Sequence, residues 1–263
     1  MMELPINIDY TGKVVVITGA GGLICGAMAR AFAQSGARVA ALDLNEEAVK
    51  KLADELKVEG YICEGYKADV LDPEALEQVH QSVIRDLGKC DILVNGAGGN
   101  HPSATTTNEY QHEAQPNSKT FFDLEAGGVD LVFKLNFQGT LLPTQVFAKD
   151  LTEKKSGCIL NISSMNAYTP LTKIPAYSAA KAAVSNFTQW LATHFAGTGI
   201  RCNAIAPASL FLHRTEHFCS MTTERPRHAL QRYLTAHLQT VMWMRRSLSE
   251  QRCSCAMTAA LPL

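Results

Sequence analysis

Short apolar runs alternate with helical periodicities through the first two hundred residues of this 263-residue chain. Residues 13–18 form a β-branched apolar run, followed by a glycine-rich turn and an alanine-rich helix to about residue 35. Further strands are predicted over 38–42, 61–68, 91–94, 157–162 and 201–206. Helices are predicted over 46–57, 73–87, 129–151 and 175–196, the third interrupted by Pro143. Short apolar strands separated by helices predict an α/β fold, a doubly wound parallel sheet of Rossmann type covered on both faces. Residues 1–208 read as one dinucleotide-binding and catalytic domain. A polar insertion over 99–120, rich in Thr, Asn, His and Gln, breaks the alternation. Loops of that length in a compact domain usually carry function.

Composition narrows the partners. The formal net charge is -1 and charged residues are 19%, so neither nucleic acid nor an anionic membrane is implied. Residues 1–10 lack a basic-then-apolar pattern, and no apolar run is long enough to span a bilayer. The eight cysteines lie mostly singly in apolar or strand-like segments, which suits reduced thiols in the cytoplasm. Cys253-Ser254-Cys255 lacks zinc-ligand spacing, so no metal site is expected.

The candidate chemistry centres on Tyr177 and Lys181, four apart and so on one helical face, with Ser164 thirteen residues before the tyrosine. A cation beside a phenol favours the phenolate and lowers the tyrosine pKa. A serine hydroxyl at a strand end can hold the substrate oxygen. Together they make an alcohol/carbonyl proton-transfer site suited to a nicotinamide hydride. Thr18-Gly19-Ala20-Gly21-Gly22, between a strand and a helix, can bring backbone amides and a helix N-terminus to a pyrophosphate. Asp43, closing the second strand, can accept from both ribose hydroxyls and would repel a 2′-phosphate, favouring NAD(H). The alternative is that it caps the helix that begins near Asn45. Asp69, at the third strand end, can meet the adenine. Asn95-Gly96-Ala97-Gly98 closes the fourth strand with a turn against the cofactor. Asn136, a poor helix former, lies inside a helix.

These motifs, in this order, resemble the short-chain dehydrogenase/reductase family over roughly residues 10–207, with Ala206-Pro207 as the last match. The resemblance implies that Tyr177 is the general acid/base and that Lys181 lowers its pKa and holds the ribose. It implies that Ser164 orients the carbonyl, that Asn136 holds a water in a proton relay, and that Pro207 borders the cofactor. Cys25, Gly98-Gly99-Asn100-His101-Pro102, Lys119-Thr120-Phe121-Phe122 and Leu141-Leu142-Pro143-Thr144-Gln145 resemble its D-mannonate oxidoreductase (fructuronate reductase) branch. A sugar-acid substrate needs hydroxyl partners and a cation for its carboxylate. Asn100, His101, Thr105 and Thr106 can supply the former and Lys173 the latter. His101 reads equally as a loop hydrogen-bonder, and Lys173 as a solvated lysine. Two family glycine places in the first turn hold Leu23 and Cys25, and Ala208 stands where the family has glycine.

Residues 209–263 break the pattern. They contain no Gly, Lys, Asp, Asn or Ile, yet hold seven Arg and half of the eight His. A frameshift near residue 208 accounts for this: read two nucleotides on, Met221-Thr222 and Met257-Thr258 each force an Asp. Strings resembling the family's substrate loop and the segment before its seventh strand are then permitted. A divergent helical C-terminus is the alternative. The family implies a homo-oligomer, often with the seventh strand at a subunit interface, which this tail would not supply. Three functional readings stay open: an NAD(H)-dependent oxidoreductase acting on a keto sugar acid and its alcohol, a reductase for another polyol or ketone, and a weak or inactive nucleotide-binding protein.

Overall fold

The computed structural model describes residues 8–208; the frameshift reading, the missing seventh strand and Cys253-Ser254-Cys255 lie outside the described residues. The chain runs β1 (Val14–Thr18), α1 (Leu23–Gln34), β2 (Arg38–Asp43), α2 (Glu46–Val58), β3 (Cys63–Lys67), α3 (Pro73–Asp86), β4 (Ile92–Asn95), α4 (Ala126–Phe133), α5 (Gly139–Lys154), β5 (Gly157–Ile162), α6 (Pro175–His194) and β6 (Ile200–Ile205). The six strands form one parallel sheet in the order β3-β2-β1-β4-β5-β6. Its order reverses between β1 and β4, and that crevice is where ligands bind in open α/β sheets.

Strand periodicity builds two cores. Val14 and Val16 point to one face, where Leu76 and Val83 of α3 and Phe147 and Leu151 of α5 pack. Val15 and Ile17 point to the other, against Ala29 and Ala33 of α1 and Val49 and Leu52 of α2. Local signals set the helix starts. Asn45 caps α2 by accepting from the Ala48 amide at 3.1 Å. Asp72 caps α3, with Pro73 in its first turn. No helix among the described residues is long and apolar enough to cross a membrane.

The predicted break at Pro143 is displaced. Pro143 lies inside α5, and the interruption is a π turn at Lys134–Gln138, around Asn136. The Gly139 amide reaches back five residues to the Lys134 carbonyl. Pro143 has no amide to bond the Gly139 carbonyl, which directly follows this wide turn.

Candidate functional site

Thr18, Asn95 and Asn161 sit level at the C-terminal ends of β1, β4 and β5. The Thr18 hydroxyl accepts from the Gly96 and Ala97 amides at 3.0 and 3.3 Å, fastening the two turns that flank the crevice. Gly19 has φ +71°, and a Cβ there would lie 2.8 Å from the Ala97 nitrogen, so glycine is required twice over. A Cβ on Gly96 would collide with the Cys25 sulfur. Cys25 thus fills, from a family glycine place, the space under the β4 turn. Burial pushes its thiol up to about 11, with Lys181 pulling down and Asp43 pushing up, so it is an inert packing group. Gly22 caps α1 without a side-chain bond, leaving the first-turn amides free of a side-chain partner.

Asp43 reaches this turn. Its carboxylate accepts from the Gly21 amide at 3.0 Å and from the Asn45 amide at 2.9 Å. The capping alternative for Asp43 is overturned, because Asn45 caps α2. Asp69 is exposed at the end of β3 and accepts from the Leu71 amide at 2.9 Å. Asn95 is only 1% exposed, and its side-chain amide donates to Thr144 Oγ1 and Asn161 Oδ1, both at 2.9 Å. Asn161 in turn donates to Thr188 Oγ1. This buried chain ties α5, β4, β5 and α6 together, so the Asn95 side chain is turned into the network rather than toward a cofactor.

The Asn136 amide is a strut. It donates to the Gly99 and Val132 carbonyls at 2.7 and 2.8 Å and accepts from the Gly99 amide at 3.2 Å. Its backbone carbonyl accepts from Thr140 Oγ1 at 2.9 Å. Gly98 lies between Asn136 and Lys181: a Cβ there would sit 2.6 Å from Asn136 Oδ1 and 3.1 Å from Lys181 Nζ.

The end of β5 meets α6 at the Tyr/Lys face. Lys181 is 3% exposed; its Nζ donates to the Ile162 carbonyl at 2.7 Å and lies 5.7 Å from the centre of the Tyr177 ring. Burial lowers its ammonium to about 8. Ser164 is buried and accepts from the Asn166 amide at 3.2 Å. Tyr177 departs from the expectation. Burial raises its phenol above the ordinary 10, and the hydrogen bond with Ser164 pulls it part of the way back. The Lys181 ammonium, bonded to the Ile162 carbonyl, lies against the ring rather than on the hydroxyl. Pro207 follows β6, and its carbonyl accepts from the amide of Met165, next to Ser164, at 3.1 Å.

The polar insertion runs along α6. Gly98 lies against Lys181, Ala104 packs with Ala176, Ala180 and Tyr177, and the Thr106 amide bonds the Lys173 carbonyl at 2.9 Å. It therefore walls the tyrosine. Asn100 donates to Thr105 Oγ1 at 2.8 Å, and His101 Nδ1 accepts from the Ser103 amide at 3.2 Å, so both brace the loop. Lys173 faces Glu109 at 3.8 Å. Sequence reasoning named Lys119 and Thr144 only as motif residues and missed their roles: Lys119 clips the Pro102 and Ser103 carbonyls, and Thr144 belongs to the Thr144–Asn95–Asn161–Thr188 chain. A buried polar residue is legible only once its neighbours are known. A groove of about 820 Å³ between α5 and α6, lined by Leu141, Phe187, Trp190 and Phe195, contains none of the candidate residues.

The comparisons with known proteins agree with this geometry. The short chain dehydrogenase family model matches residues 13–218. An uncharacterized oxidoreductase of Haemophilus influenzae is 49% identical over 235 residues, covering 89% of this chain and 82% of that protein. The uncharacterized oxidoreductase UxuB of Bacillus subtilis is 45% identical, covering 81% and 76%. A crystal structure with bound NAD, of a Haemophilus influenza protein provisionally assigned as a D-mannonate oxidoreductase, superposes with a TM-score of 0.78 at 52% identity, covering 81% and 76%. The chain belongs to the short-chain dehydrogenase family, a class of oxidoreductases.

Proposed function

We propose that this protein is an NAD(H)-dependent oxidoreductase that interconverts a keto sugar acid and its alcohol, of the D-fructuronate/D-mannonate type. The observation that carries the reading is the convergence of Ser164, Tyr177 and Lys181 where β5 meets α6. The crevice fits a dinucleotide: first-turn amides of α1 without a side-chain cap, a glycine turn with no room for side chains, and Asp43 at its edge. When bound, the cofactor supplies or takes the hydride at the keto carbon. Ser164 orients the substrate oxygen by hydrogen bonding. Tyr177 gives its hydroxyl proton to that oxygen in reduction and takes it back in oxidation. Lys181 would hold the ribose, its ammonium standing beside the phenolate left when Tyr177 gives up its proton, and Asn136 keeps the loop at Gly99 in place. Lys173 takes the substrate carboxylate in exchange for Glu109. The sugar-acid assignment draws on the branch motifs at 98–102, 119–122 and 141–145 and on the likeness to the NAD-bound structure. Buried free thiols at Cys25, Cys63, Cys90 and Cys202 suit the cytoplasm.

Purified protein incubated with D-fructuronate and NADH should consume NADH stoichiometrically with mannonate formed. Turnover with neutral polyols or ketones in place of sugar acids would favour a different reductase. NADH binding without turnover on any of them would favour the weak or inactive reading, for which sequencing the gene around codon 208 tests the frameshift. The cofactor preference is a separate prediction. NADH should bind about tenfold or more tighter than NADPH, because Asp43 accepts from ribose hydroxyls and repels a phosphate. Asp43→Ser should narrow the gap, and tighter NADPH binding by the unaltered chain would reverse the assignment.

A further inference from the structure

Three consecutive residues at the β5 end meet α6, each in its own way. The Ile162 carbonyl holds the Lys181 ammonium. Ser164 meets Tyr177. Between them, the Ser163 hydroxyl lies 3.1 Å from the main-chain carbonyl oxygen of Lys181 and 2.6 Å from the Ser185 hydroxyl. Ser185 Oγ is itself 3.2 Å from that same carbonyl. Ser163 is 2% exposed and Ser185 8%. Two hydroxyls bring two protons to three contacts, so two of the three bonds form at once. The shortest contact, between the hydroxyls, demands a proton between them. The other proton then goes to the Lys181 carbonyl.

We infer that Ser163, acting with Ser185 as a hydroxyl clamp on the Lys181 carbonyl, is a positioning residue for the active-site lysine. The inference rests on the reading of Lys181 as the residue that works with Tyr177 and the cofactor. A lysine stem carries four rotatable carbons and much rotamer entropy. Here its two ends are pinned to adjacent residues, the ammonium to Ile162 at the end of β5 and the carbonyl through Ser163 just past it. Ser185 shares a helix with Lys181, so it cannot fix that helix against the strand; Ser163 alone crosses over. The ammonium bonds a neutral carbonyl, which places the cation without a carboxylate to quench it.

Simple docking of α6 would use the same hydroxyls, so the test reads the lysine itself. In the full chain with ¹³Cε-labelled lysine, the Lys181 resonance is assigned by its loss in Lys181→Met and titrated by NMR. NADH affinity and the thermal midpoint are measured alongside. Ser163→Ala should move the Lys181 titration midpoint up toward the ordinary lysine value by about half a unit or more. It should weaken NADH about fivefold, the scale of one net hydrogen bond. Ser163→Thr, which keeps the hydroxyl, should restore both, and Ser185→Ala, which keeps the cross-strand bond, should leave the midpoint in place. An unchanged midpoint and affinity in Ser163→Ala would overturn the clamp, as would an equal loss in Ser163→Thr. If Ser163→Ala does not fold, Ser163→Cys, a weak donor of similar shape, carries the same expectations. Neither readout needs a substrate. Failure to turn over fructuronate therefore refutes the sugar-acid reading alone, and a flat Ser163 series refutes the clamp alone.

Discussion

Tyr177→Phe should lower kcat for carbonyl reduction by about 10³-fold while changing the NADH dissociation constant by less than about threefold. The substitution removes one oxygen and leaves the ring, which packs with Ala104, Ala176 and Ala180. Cofactor contacts proposed at the glycine turn and Asp43 lie on other elements and are untouched. The loss therefore falls on a step that needs the hydroxyl proton, and appears in kcat rather than in binding. Direction matters as well. Burial raises the Tyr177 phenol above 10, so the proton-donating form persists through neutral and mildly alkaline pH, and reduction should stay flat there. Oxidation needs the phenolate and should climb with pH over the same range. Rapid-mixing kinetics, at saturating NADH for reduction and saturating NAD⁺ for oxidation, separate these terms. Residual turnover near the unaltered rate would place the proton donor elsewhere.

Asp150→Ala should destabilise the domain by about 3–5 kcal/mol, the range for breaking a buried charge pair from one side. Asp150 is 3% exposed and His80 4%. One carboxylate oxygen accepts from His80 Nε2 at 3.1 Å and from the Cys90 amide at 2.8 Å, joining α3 to α5 and to the start of β4. Removal leaves His80 Nε2 and the Cys90 amide buried without the carboxylate they share, the His80 ring meeting Phe147 edge to face. Glu77 faces the other ring nitrogen at 3.7 Å and is itself held by Lys149, while Lys154 and Asp91 flank the carboxylate side.

The pair also sets a pH dependence. The hydrogen bond to Asp150 raises His80 above 6.5 against the cost of burial. Burial pushes Asp150 up from 3.8, but the His80 and Cys90 hydrogen bonds together outweigh it and leave it lower. The histidine contribution is complete below 6.5 and is lost as pH rises through its folded value. The aspartate contribution is complete above 3.8 and is lost as pH falls through its folded value. The pair is thus at full strength between those two values. Urea unfolding at pH 6 and pH 9 should show the gap between the unaltered chain and Asp150→Ala narrowing at the higher pH. An equal gap at both would mean His80 is neutral throughout.

The site divides in how far the chain itself announces it. Tyr177 and Lys181 were legible because helical spacing puts them on one face, and Ser164 because it closes a strand. That burial raises the Tyr177 phenol was not legible. Spacing gives the distance between side chains along a helix, whereas the pKa also depends on what buries the phenol. The substrate-side residues fared similarly. Asn100, His101 and Lys173 are polar residues in a polar insertion, and only their neighbours reveal that two brace the loop and the third faces Glu109.

By itself the sequence determined the alternation of strands and helices, the doubly wound class, Pro73 at a helix start, and the glycines at the crevice. All of these depend on local periodicity or on the conformational range of single residues, which a chain carries wherever it is placed. Tertiary structure alone decided that the long helix breaks at Asn136 rather than Pro143 and that Asn45 rather than Asp43 caps α2. It also decided that Asn95 joins a buried network and that Ser163 grips Lys181 across the strand. The Asn95 and Ser163 bonds are choices between partners far apart in sequence. Such choices are made by burial, where an unpaired polar group costs more than a local preference can offset.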